Sequence, residues 1–165
     1  MSKSQLKHGD VMKALARVPS GLFILTAGKG DGAMGTLVSF VQQVSIQPPC
    51  VAVALRPERR AAAVIAKEKF FVVNIVHAGD RTLLRAFAKE SKSGKGAFEK
   101  VEWAPVARGG VVLPAACAFL ECELIRVLDF DGDHQLYVGR VVGGELIGDP
   151  AAKPTVHLRQ DGSRY

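Results

Sequence analysis

Gly35-Thr36-Leu37-Val38-Ser39-Phe40-Val41-Gln42-Gln43-Val44-Ser45-Ile46-Gln47-Pro48-Pro49-Cys50-Val51-Ala52-Val53-Ala54-Leu55-Arg56 decides how the chain is read. Small hydroxyl residues and amides interrupt its β-prone runs, and Pro48-Pro49 must sit at a corner or edge because proline cannot donate to a ladder. Arg56 closes the second run. Strand, turn and strand is one account of the stretch. The other is a pocket, in which hydroxyls, backbone N–H groups and a guanidinium meet a single anionic ligand.

Working outward, Leu6 to Val18 places apolar residues near helical spacing and is ended by Pro19-Ser20-Gly21, which predicts a short leading helix. Leu22-Phe23-Ile24-Leu25-Thr26 predicts a strand, and the glycines of Gly28-Lys29-Gly30-Asp31-Gly32 can supply the positive φ of a hairpin back into Met34 to Phe40. Further strands are expected over Val44 to Ile46, Val51 to Leu55 and Phe70 to Val76. The Ala-rich Arg59 to Lys67 and the run Arg81 to Phe87, capped by Asp80, predict short helices. Lys89 to Gly96 carries no large apolar residue and reads as a mobile loop. Ala115 to Phe130 and Gln135 to Val142 form a hairpin across Asp131-Gly132-Asp133-His134. Strands close in sequence with only short helices between them favour an antiparallel barrel over a doubly wound sheet.

The 165 residues fit one domain, 1–165. A formal charge of +6 suits a phosphate-bearing partner without choosing among nucleic acid, dinucleotide and acidic lipid. Three cysteines without a C-x-x-C pair, two of them (Cys117 and Cys122) in apolar surroundings, point to a reducing cytoplasm. The polar start and the lack of any run of about 20 apolar residues argue against export or membrane spanning.

Gly28 to Ala33 matches the dinucleotide fingerprint formally, but a strand follows it where that motif needs a helix to face a pyrophosphate. His8, His77, His134 and His157 lack metal-ligand spacing, and no nucleophile elbow occurs. Lys92, Lys95 and Lys100 lack the interleaved aromatics of a single-strand binder, so no nucleic-acid partner is expected. Arg56, Arg59 and Arg60 stand at a strand-to-helix junction, where guanidinium groups and a helix N-terminus can hold one phosphate. A solvated basic turn accounts for that spacing equally well. Locally, His134 reads as a surface residue of a tight turn, and Asp80, Arg81 and Arg85 as helix-surface charges.

These signals fall into one known order. Gly35 to Phe40 with Val44-Ser45-Ile46-Gln47-Pro48-Pro49, Phe70 to Asn74 with Phe87, Ala118 to Cys122, and Gly132-Asp133-His134 leading into Gln135 to Val141 together resemble the flavin reductase-like family of split-barrel proteins. The resemblance runs from about Val11 to Tyr165, and the ending Thr155 to Tyr165 looks like the C-terminal modules of diflavin flavoproteins. It implies a mainly β, antiparallel split β-barrel with short peripheral helices, a homodimer, and non-covalently held FMN, with FAD as the other option. It also implies NADH or NADPH as hydride donor and a monooxygenase or other electron acceptor as partner.

By resemblance, Val38, Ser39, Phe40 and Val41 form the flavin loop, with backbone N–H groups for the pyrimidine edge and the Ser39 hydroxyl beside them; Ser45 follows in the next strand. Arg56 and Arg59 match positions near the flavin phosphate, and Asn74 lies in the strand beside it. Gly132, Asp133 and His134 match the nicotinamide-side loop, in which His134 would position the nicotinamide. Val38 and Gln47 depart from the hydroxyl and the Asp common in the family; diflavin-like members share the apolar residue before Ser39. A flavin-binding electron carrier without rapid NAD(P)H turnover is the alternative reading. Behind it stand a split barrel for pyridoxal phosphate, haem or a deazaflavin, and a basic nucleic-acid-binding barrel.

Overall fold

The computed structural model describes residues 8–88 and 95–162. In chain order these form α1 (His8–Leu15), β1 (Ser20–Gly21), β2 (Phe23–Ala27), β3 (Met34–Val38), β4 (Val41–Ile46), β5 (Pro49–Leu55), α2 (Arg60–Glu68), β6 (Phe70–Ile75), α3 (Arg81–Phe87), α4 (Lys95–Phe98), β7 (Ala104–Pro105), β8 (Val111–Val112), β9 (Ala118–Leu128), β10 (Gln135–Leu146) and β11 (Val156–His157). Seven strands make one antiparallel sheet in the order β3-β2-β6-β9-β10-β5-β4.

The order itself shows that the sheet rolls. β3 and β4 are its two ends, and laid flat they would be about 29 Å apart at the usual strand spacing. Only Ser39 and Phe40 join them, and three Cα steps reach about 11 Å at most. The ends must therefore come together, and register shifts in the β9–β10 and β4–β5 ladders supply local bends. The result is the split barrel expected from the sequence, with its seam at Ser39-Phe40.

Two apolar layers divide the alternating side chains of the strands. Leu25, Val38, Val53, Phe71, Val73 and Cys122 fill one with Ala61, Ala62 and Ile65 of α2. Ile24 and Val76 lie in the other with Leu83 and Phe87 of α3, Phe98 of α4 and Leu113. β6 is covered on both faces, which explains its unbroken apolar run. Thr26 and Asn74 hold the 111–113 segment against the second layer: Thr26 Oγ1 donates to the Val111 carbonyl at 2.7 Å, and Asn74 Oδ1 accepts from the Leu113 N–H at 2.8 Å.

The glycine-rich turn after β2 carries positive φ at Gly28 and Gly30 and returns the chain antiparallel as β3, so no dinucleotide-binding βα unit is present there. The leading helix is shorter than Leu6 to Val18, with its first residues outside the described range. The expected loop over Lys89 to Gly96 also lies outside it, except that Lys95 and Gly96 open the one-turn helix α4. No described helix is long and apolar enough to cross a membrane.

Candidate functional site

A cavity of about 610 Å³ opens at the barrel seam. Its walls are Thr36 to Ser39 from β3 and the seam, Ala54 to Arg56 at the end of β5, and Arg59 at the start of α2. Arg81, Leu84, Arg85 and Phe87 come from α3 and Ala88 from its C-terminal cap, and Leu22, His134 and His157 complete the lining. Apolar side chains cover part of the surface, and four guanidinium groups, two imidazoles and the residues Thr36 and Ser39 make up the rest without a single carboxylate. Such a site favours a ligand with an apolar, ring-like body and more than one negative charge.

Ser39 is the sharpest feature. It is only 2 % exposed, lines the cavity, and its Oγ has no hydrogen-bond partner among the described residues. A buried hydroxyl without a partner is costly, so this atom is an open place for a ligand. Val38 lies beside it in the lining. The next two residues of the predicted loop serve the seam differently. The Phe40 carbonyl accepts from Ala54 N–H at 2.9 Å, and the Val41 N–H donates to the Ser39 carbonyl at 3.0 Å. The Val41 amide is therefore occupied within the loop.

Phe40 meets the His134 ring edge to face at 5.7 Å between centroids, and the Arg159 guanidinium lies over its ring at 5.1 Å. His134 is 13 % exposed, with Nδ1 at 2.8 Å from Asp133 Oδ1. The other Asp133 oxygen pairs with Arg56 at 3.2 Å. One carboxylate thus ties the β9–β10 turn to the end of β5. The hydrogen bond to His134, with the charges of His134 and Arg56, holds the Asp133 carboxyl below its usual range. The left-handed residue of this turn is Asp131, at φ 59°; its N–H is bonded to Asp129 Oδ1.

α2 begins after Arg59 with no side chain capping it, and Arg59 lines the cavity with Arg56. α3 is placed by Phe87, which packs against β3 where Gly35 leaves room; a Cβ on Gly35 would overlap that ring. Its turn-spaced Arg81, Leu84, Arg85 and Ala88 then face the cavity.

Val38, Ser39, Arg56, Arg59 and His134 are brought together in one lining, with Phe40 and Asp133 in contact with it through His134. Gly132 stays in the exposed turn. Ser45 sits on β4 opposite Cys50, and Val41 opposite Val53, both outside the lining. Asn74 does not reach it either: it is fully buried, and its amide donates to the Ile24 and Val111 carbonyls at 3.2 and 3.1 Å. It is positioned for the fold, since every polar atom of its side chain is used within the protein. Arg81, Arg85 and His157 were missing from the sequence reading of the site. The signal for the arginines was their i, i+4 spacing beside Leu84, a like-charged pair that mildly disfavours the helix carrying it. Among the described residues no cluster of His, Cys, Asp and Glu could hold a metal ion.

Comparison with known proteins agrees with this geometry. The profile of the flavin reductase like domain matches residues 15–163. A diflavin flavoprotein A 1 of Synechocystis sp. is 32 % identical over 164 residues, 98 % of this chain but 28 % of that protein, so the chain spans little more than a quarter of it. The NADH:FAD oxidoreductase SgcE6 of Streptomyces globisporus superposes with a TM-score of 0.78 at 24 % identity, over 87 % of this chain and 84 % of the other. The flavin reductase HpaC, solved with NADP+, gives 0.75 at 26 % identity over 90 % of each chain. With nearly its whole length matched by the profile, the chain belongs to the flavin reductase like domain family, whose members are flavin-binding oxidoreductases.

Proposed function

We propose that the chain is a NAD(P)H-dependent flavin reductase that takes FMN, or FAD in its place, and passes it a hydride from NADH or NADPH. The observation that carries this reading is the unpartnered, buried Ser39 Oγ in a cavity that joins apolar walls to guanidinium groups. A flavin fits that donor set, having a flat ring rimmed by hydrogen-bonding atoms and a phosphate at the end of a polar tail. When bound, it supplies the electron-accepting ring, and the protein supplies position and electrostatics.

In this reading Ser39 donates its hydroxyl to the ring edge while Val38 and Leu55 keep water from that side. Arg56, Arg59 and the uncapped start of α2 hold the phosphate. Asp133 fixes the His134 imidazole through Nδ1, and the ring positions the nicotinamide without acting as a proton donor to the reaction. Electrons then leave to free flavin, oxygen or a protein such as a monooxygenase. Reduced nicotinamide and the three free thiols suit a cytoplasmic setting.

A homodimer belongs to the same proposal. Val44, Ile46, Ile125, Val127, Leu128 and Phe130 are exposed on β4, the end of β9 and the turn after it, and these apolar side chains would be covered by a second copy. The direct test is titration of the purified protein with FMN, followed by NADH and NADPH oxidation assays. Saturable flavin binding with nicotinamide turnover is expected. Flavin binding without turnover would leave an electron carrier instead.

A further inference from the structure

Arg81 and Arg85 are more cationic charge than a single phosphate at Arg56 and Arg59 calls for. They stand one turn apart on α3, a spacing at which like charges oppose helix formation, and both line the cavity with Leu84 between them. No ion pair with a described carboxylate takes up either charge, whereas Arg56 is already paired with Asp133. The helix terminus is not the anion site, because the Asp80 side chain already accepts from Thr82 N–H and Leu83 N–H. The binding capacity lies in the side chains. A volume of about 610 Å³ accommodates a ligand longer than a mononucleotide.

We propose that Arg81 and Arg85 form a second anion subsite in the lining shared with Arg56 and Arg59, one that takes pyrophosphate charge of an adenine dinucleotide beyond the single phosphate that FMN brings. The subsite rests on the flavin reductase reading for its second ligand, and its chemistry is shared by two sources: FAD and NAD(P)H. Two guanidinium forks on one face match the adjacent phosphates of such a ligand, and no carboxylate in the lining opposes them.

The test compares wild-type full-length chain with the double variant Arg81→Gln/Arg85→Gln, using ADP by calorimetry as a probe with a pyrophosphate and no redox ring. FMN and FAD affinities and the KM for NADH and NADPH are measured alongside, with thermal melts to confirm folding. Binding of ADP is expected to weaken about tenfold or more, and to lose much of its salt dependence, while FMN is affected far less. A parallel loss on FAD assigns the subsite to the flavin, and a raised KM for NADH and NADPH with FAD unaltered assigns it to the reductant. Arg81→Lys/Arg85→Lys should recover part of the loss. Equal ADP affinity in wild type and variant, or a loss on FMN matching that on ADP, overturns the proposal. Arginine-dependent ADP binding in a protein that takes no flavin would retain the subsite and remove the reductase reading.

Discussion

At the scale of single residues, Ser39 separates ligand chemistry from folding. Its Oγ bonds to nothing among the described residues, so Ser39→Ala should leave the melting temperature of the ligand-free chain unchanged or slightly raised, while FMN affinity falls about fivefold to tenfold by fluorescence titration. A destabilised variant with normal flavin affinity would mean the hydroxyl serves the fold. His134→Ala should raise the KM for NAD(P)H about tenfold and leave flavin bound, and an unaltered KM would take His134 out of the mechanism. The Asp133 carboxyl that orients it is held below its usual range, so its folded-state pKa is depressed. Its contacts with His134 and Arg56 are therefore complete above the ordinary carboxylate pKa and disappear only as pH falls through the depressed one. KM for NAD(P)H should accordingly show no inflection near the usual carboxylate pKa in wild type. Cys122 gives an independent check on the core: burial first, then Cys50 and Glu121, push its thiol up to about 12, so it should resist alkylation at pH 8 until the protein is denatured. Ser39, Arg56, Arg59 and His134 were legible through the family resemblance, since locally Arg56, Arg59 and His134 read equally well as solvated turn residues. Arg81 and Arg85 left only the weak signal of their i, i+4 spacing, since it is the packing of Phe87 on β3 that turns their helix face toward the cavity.

At the scale of elements, α3 and the strand beneath it form one positioning unit. Gly35→Ala would drive a Cβ into the Phe87 ring and should cost about 1–3 kcal/mol, with the larger part of the functional loss falling on ligands that reach Arg81 and Arg85. Urea unfolding and nucleotide titration of that variant check both. Asn74→Ala should cost about 1–3 kcal/mol, because it leaves the buried Leu113 N–H without its acceptor and removes the amide donor from the Ile24 and Val111 carbonyls, the latter keeping only Thr26 Oγ1. If flavin affinity fell in that variant with stability intact, Asn74 would belong to the site after all. Helix α3 and strand β6 were legible in the sequence: Asp80 is the cap predicted for α3, and the apolar run of Phe70 to Val76 marked a strand, which the structure forms over Phe70–Ile75. The role of Asn74 was not. A polar residue in a buried strand can face a ligand or another strand, and which one depends on where the 111–113 segment crosses.

At the scale of the whole molecule, the rolled sheet explains why one short stretch carries so much of the function. β3 and β4 are adjacent in sequence and are the far ends of the sheet, so their two-residue link both closes the barrel and opens the cavity. The barrel was legible from strands close in sequence and from proline and glycine at their corners; the seam was not, because strand order is set by long-range pairing such as β6 with β9. Dimerisation is tested at this scale. Ile46 is 85 % exposed, so Ile46→Lys combined with Val127→Lys should leave the barrel folded and shift sedimentation toward monomer, and an unshifted profile would place the partner surface elsewhere. The central claim is that the seam cavity binds flavin and lets nicotinamide reduce it. An anaerobic absorption titration, FMN first and then NADH and NADPH in turn, tests it in a single cuvette. A perturbed flavin band that bleaches with at least one nicotinamide is the predicted result; an FMN spectrum left as it is in buffer, unbleached by either, would contradict the account.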